Sequence, residues 1–204
     1  MRDPLLYRIV RPFIIGWFKT MYKPIIINKD AIPKKGRVVI AGNHISKQDP
    51  FIMAAATKRC IRGVAKSELF KGPGKYLFKG LGAIPVNRKI KDESVIPACV
   101  ELLKNESLVG IMPEGTINRT EEVLMPFKTG AVRMAIESNS PIIPFAIIGE
   151  TTSNYGAFKK GVKMIFGELY YPESNDVIHE TKILESKVYD LINENKERKI
   201  MKKG

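Results

Sequence analysis

Six short apolar, β-prone runs, separated by segments of helical period, constrain this chain more than any other feature. The runs cover residues 38–41, 61–65, 83–86, 108–112, 142–147 and 163–166. Helices are predicted near 50–59, 74–80, 94–104 and 130–138. A last helix is predicted around 178–198, with Ile183, Leu184, Val188, Leu191 and Ile192 on one face. Strands that are apolar throughout are buried on both faces, so the pattern predicts an α/β fold with helices packed around a mostly buried mixed sheet. At 204 residues the chain is sized for one domain and can bury a core without covalent staples. Cys60 and Cys99 form no CxxC pair and no secretory signal precedes them, which places them as structural thiols in a reducing compartment.

Charge divides the chain unevenly. The net charge is +13, and residues 1–100 carry 20 Lys/Arg against 6 Asp/Glu, whereas the remainder is close to balanced. A one-sided excess of this size implies an anionic partner such as a membrane surface, a phosphorylated substrate or nucleic acid. Within residues 4–23 the longest uncharged run is Pro12 to Phe18, far short of the ~20 residues that cross a bilayer. On a helix, Arg8, Arg11, Lys19 and Lys23 fall within an arc of roughly 120°, and Leu6, Phe13, Trp17 and Phe18 lie largely outside it. Residues 1–29 are therefore expected to form an amphipathic segment lying on an anionic membrane surface, with a kink or break at Pro12. The alternative is a helix packed on the domain's own core. Residues 30–204 form the expected catalytic domain, entered through the polar stretch Asp30 to Lys35.

The chemistry-bearing residues cluster after the first predicted strand of that domain. Gly42-Asn43-His44 ends the strand, and Asp49-Pro50 opens the next helix. Five residues separate His44 from Asp49, so a tight turn brings carboxylate to imidazole. Such a pairing fixes the ring tautomer and leaves the second nitrogen to accept a proton.

The stretch GNHISKQDPF resembles the first block, NHxxxxD, of the glycerophospholipid acyltransferase family. Further blocks follow in the family's order: VAKSEL with Lys66, GAIPVNR with Arg88, Pro113-Glu114-Gly115-Thr116, then FKTGAVRMA and SPIIPFAI. The resemblance covers about residues 36–150. It implies direct attack of an acceptor hydroxyl on acyl-CoA or acyl-carrier protein, with no metal or other cofactor. His44 is then the general base and Asp49 its orienting partner. The implied acceptor is a lysophospholipid, foremost 1-acyl-sn-glycerol-3-phosphate. Asn43, Lys66, Arg88, Glu114, Gly115, Thr116 and Arg119 complete the implied substrate-binding set. Of these, Glu114 holds the loop or the acceptor's hydroxyls, and the cations and the Gly115-Thr116 backbone face the phosphate. The family's arginine after the EGT triplet is replaced here by Ile117, with Arg119 two residues on. The implied location is peripheral, on the cytoplasmic face of a membrane.

Other chemistries fit less well. No GxSxG elbow activates Ser46, His179 fails the HExxH pattern, and GPGKYL fails the dinucleotide pattern. A basic nucleic-acid-binding module would explain the charge but not the His–Asp pair, and no nucleic-acid motif is present.

Overall fold

Strand β2 (Val38–Gly42) lies near the middle of a seven-stranded sheet, with β6 (Ile142–Ile148) on one side and β5 (Leu108–Ile111) on the other. The computed structural model describes residues 4–72, 74–80, 82–87, 94–152 and 156–197. The full order is β1-β7-β6-β2-β5-β3-β4, completed by β1 (Ile25–Ile27), β3 (Ile61–Lys66), β4 (Ile84–Val86) and β7 (Lys163–Phe166). All neighbours are parallel except the antiparallel pair β6–β7. The sheet is mixed, as predicted, and all six predicted strands form within a residue or so. β1 is additional. It falls within residues 1–29 and pairs Ile25 with Lys163.

Alternation along each strand divides the core into two layers. Val38, Ile40, Ile143, Phe145 and Ile147 point to one face, where α1 (Leu5–Tyr22) and α2 (Asp49–Ala56) cover them. Val39, Ala41, Ile142 and Ala146 point to the other, beneath α4 (Val95–Lys104), α5 (Gly130–Ser138) and α6 (Val177–Glu197). Helix α3 (Gly74–Gly80) packs against α1 and the short turn that follows β3. Each core side chain removed fully from water contributes about 1.5–3 kcal/mol before chain entropy is charged against it.

Helix α1 is continuous across Pro12, which sits on its exposed side. There the carbonyl that loses its partner can reach water. The helix has one face packed on the domain and another open. Tyr7, Ile15 and Phe18 are buried in the domain, while Leu5, Ile9, Phe13, Trp17 and Met21 form an exposed apolar ridge at four-residue spacing. Phe18, expected on the outward face, is fully buried. Arg11 turns inward and caps the C-terminal turn of α2, donating to Ala54 O and Thr57 O at 2.8 and 2.5 Å. No helix among the described residues is long and apolar enough to cross a membrane.

Candidate active site

β2 and β5 are adjacent parallel strands, yet the chain leaves them toward opposite faces: β2 leads into α2, β5 into α5. A crevice therefore opens beyond their carboxyl ends, the usual ligand position in such sheets. Gly42 ends β2 against β6, where a β-carbon would strike the Phe145 carbonyl and ring. Asn43, buried, continues the ladder with its side chain: its amide donates to Ile147 O at 2.9 Å and accepts from Ile147 N at 2.7 Å. Both ends of that amide are occupied by β6, so Asn43 positions His44.

His44 Nδ1 lies 2.6 Å from Asp49 Oδ2. The same carboxylate oxygen accepts from the backbone N–H groups of Ile45 and Ser46 at 2.9 and 3.2 Å. Asp49 is wholly buried at the start of α2, and burial pushes its carboxyl above the ordinary value of 3.8. The hydrogen bond and charge of His44 and the two backbone donors work against that rise. The other imidazole nitrogen, Nε2, makes no hydrogen bond among the described residues, and the ring is partly open to solvent.

The loop after β5 grips the His44 backbone from both sides. Glu114 Oε1 accepts from His44 N at 2.6 Å, and Asn118 N donates to His44 O at 2.8 Å. Glu114 also accepts from Met125 N at 3.0 Å, which closes the loop on itself. Buried, its carboxyl is raised above 4.5 despite these donors. Glu114 thus holds the loop to the histidine. Gly115, at φ +75°, makes the turn after it, and Thr116 and Arg119 are exposed along the same loop. Lys66 is exposed at the carboxyl end of β3, on the same edge of the sheet as His44. Arg88 lies outside the described residues.

Several residues that pattern reading passed over also support the site. Gln48 accepts from Phe158 N at 2.8 Å and donates to Tyr22 Oη at 2.9 Å, which ties α1 to the His–Asp turn. Ser46 is fully buried and donates to Gly156 O, a fixed structural hydroxyl. Burial pushes the Cys99 thiol up to about 12, far from a reactive thiolate. His179 is exposed on α6, remote in sequence and element from this constellation.

An apolar cavity of about 210 Å³ lies between α1, α2 and the sheet. Pro50, which follows Asp49 in the chain, and Met112 line it, Gly63 and Gly110 lie on the sheet side, and Tyr7 and Arg11 of α1 also line it. His44 keeps one imidazole nitrogen without a partner among the described residues.

The acyltransferase family profile matches residues 23–148. The 1-acyl-sn-glycerol-3-phosphate acyltransferase of Bacillus subtilis (strain 168) is 37% identical over 147 residues, 70% of this chain and 71% of that protein. The enzyme of the same name from Borreliella burgdorferi is 31% identical over 65% of this chain and 53% of its own length. The human beta form is 32% identical over 72% and 56%. The chain thus spans little more than half the length of these last two. The crystal structure of the 1-acyl-sn-glycerophosphate acyltransferase PlsC from Thermotoga maritima shares the fold, with a TM-score of 0.73 over 96% of this chain and 84% of that one at 22% identity. With the profile matching well over half its length, this chain belongs to the acyltransferase family.

Proposed function

We propose that this chain transfers a fatty acyl group from an acyl thioester to the sn-2 hydroxyl of 1-acyl-sn-glycerol-3-phosphate, giving phosphatidic acid. The observation that carries this reading is the 2.6 Å His44–Asp49 pair at the start of α2, the helix whose Pro50 and Phe51 line an apolar cavity. The names of the sequence relatives support the acceptor. Nε2 of His44 takes the proton of the acceptor hydroxyl as its oxygen attacks the thioester carbonyl. The Asp49 carboxylate stabilises the imidazolium that results. Collapse of the tetrahedral intermediate breaks the C–S bond, and the imidazolium returns its proton to the departing thiolate. No covalent acyl-enzyme forms. The acyl chain occupies the apolar cavity, and the donor is acyl-CoA or acyl-carrier protein.

The deciding experiment is thiol release from palmitoyl-CoA with and without lysophosphatidic acid. Acceptor-dependent release with phosphatidic acid as product is the expected outcome. Release that ignores the acceptor would make the enzyme a thioesterase. Glycerol-3-phosphate or another lysophospholipid as the faster acceptor would retain the catalytic pair and replace the substrate.

The reading places the enzyme peripherally on the cytoplasmic face of a membrane. Its support is the α1 ridge, beside which Lys19, Lys23, Lys29 and Lys58 line a groove with no carboxylate among its lining residues. The ridge would enter the interface while the lysines meet anionic headgroups. Because α1 also carries core residues, substitution tests this better than deletion. Phe13→Asp with Trp17→Asp is expected to weaken binding to phosphatidylglycerol vesicles roughly 100-fold, two aromatic side chains no longer entering lipid. Cosedimentation unchanged from wild type would remove the ridge from the membrane contact.

A further inference from the structure

The loop that grips His44 also carries a cation inside the FKTGAVRMA block, to which the sequence pattern assigned no role. Lys128 is pinned through its backbone: its N–H donates to Pro113 O at 2.9 Å, and the preceding Phe127 N–H donates to Glu185 of α6 at 2.7 Å. From that fixed origin its side chain runs back across the Glu114–Gly115 turn. A methyl group on Gly115 would come within 2.8 Å of Lys128 Nζ, 3.0 Å of Cε and 3.2 Å of Cδ. The glycine therefore does two things. It accepts a φ of +75°, and it leaves the channel along which the lysine lies.

The neighbouring carboxylate does not consume this charge. Glu114 spends its two oxygens on the N–H groups of His44 and Met125. Among the described residues no salt bridge to Lys128 forms, and the residue is exposed. Ile117, directly after the EGT triplet, brings no charge of its own. An ammonium is thus held, open to solvent, on the turn whose preceding residue hydrogen-bonds the catalytic histidine.

We propose that Lys128 is an acceptor-binding residue that takes the phosphate monoester of the lipid acceptor beside Gly115. This rests on the acyl-transfer reading given above and assigns the phosphate contact within it. With its anionic end at Gly115, the acceptor is anchored one residue from Glu114, which sets its hydroxyl within reach of the His44 ring. An ammonium meeting a phosphate forms a charge-assisted contact, and its loss falls on acceptor affinity rather than on the proton transfer.

The test compares wild type, Lys128→Met and Lys128→Arg in thiol release from palmitoyl-CoA, with lysophosphatidic acid and with monoacylglycerol as acceptors. Lys128→Met is expected to raise KM for lysophosphatidic acid roughly 10- to 100-fold at little-changed kcat. Its KM for palmitoyl-CoA and its rate with the phosphate-free acceptor stay at wild-type values, and Lys128→Arg recovers most of the affinity. An unchanged KM for lysophosphatidic acid would overturn the assignment. So would an equal loss with both acceptors, which is what a merely structural lysine gives. A wild-type enzyme that transfers nothing to lysophosphatidic acid would instead remove the reading on which the assignment rests.

Discussion

Asp49→Asn is expected to lower the rate of acyl transfer by ~10²–10⁴-fold while leaving the protein at least as stable as wild type at neutral pH. The two effects come from the same carboxylate. In the proposed mechanism its charge stabilises the imidazolium as His44 removes the acceptor proton, and an amide supplies no such charge. Yet Asp49 is wholly buried, and burial raises its carboxyl above the ordinary value. A folded-state value above the unfolded one means that the folded protein binds the proton more tightly. The stabilisation from that proton is complete below the unfolded value of 3.8 and is lost as pH rises through the raised folded value. At neutral pH the wild type therefore carries the cost of a buried charge that asparagine avoids. Urea unfolding of both proteins from about pH 4 to pH 7 should show wild type losing ground to Asp49→Asn as pH rises. A wild-type advantage that grows with pH would mean that pairing with His44 outweighs burial. His44→Ala is expected to lose activity on the same scale. It also strips Asp49 of its partner and is the less stable variant, so the asparagine variant separates chemistry from folding more cleanly. The double variant should be little slower than either single one, because the two residues act as a unit.

What the sequence made legible follows a physical division. Strands such as β2 and β6 are apolar on both faces, so their burial is written in every residue, and the sheet core was readable from composition along short windows. β1 was not, because three isoleucines after a helix and a proline carry too little length to declare themselves, and only pairing with β7 makes them a strand. Helix α1 was recognisable as amphipathic, but its helical wheel holds more than one apolar arc. Whether Phe18 or Phe13 turns inward depends on where Phe51 and Phe158 stand, which is tertiary information. Arg11 shows the same limit. A cation on a surface arc reads as solvated until the carbonyls of Ala54 and Thr57 are seen to need it.

At the site, side-chain chemistry with short spacing was visible and backbone chemistry was not. His44 and Asp49 are five residues apart in sequence and 2.6 Å apart in space. The grip of Asn118 N on His44 O leaves no trace in the identity of residue 118. Lys128 lies inside the FKTGAVRMA block, but a lysine after an aromatic residue declares no role until its course across Gly115 is seen.

The second large effect concerns the cavity. Gly63 in β3 and Gly110 in β5 are register partners, and both line it. They differ in the space above them. A β-carbon on Gly110 would strike Ile61 and Met53 at 2.5 and 2.8 Å, whereas one on Gly63 meets nothing within 4 Å. Gly63→Leu can thus be made without a clash at the backbone and with a better strand former in place. Its side chain would enter the compartment assigned to the acyl chain. Each methylene displaced from an apolar site forfeits about 0.8 kcal/mol, so excluding three or four lowers kcat/KM for a long chain roughly 100-fold. An octanoyl donor, short enough to stop before the obstruction, should be used at close to the wild-type rate. The expected result is an inversion of the palmitoyl-to-octanoyl preference at unchanged KM for the lipid acceptor. A parallel fall with both donors would assign the loss to a displaced α2 and the His–Asp turn at its start. No change with either would place the acyl chain elsewhere, along the exposed face of α1 rather than beneath it.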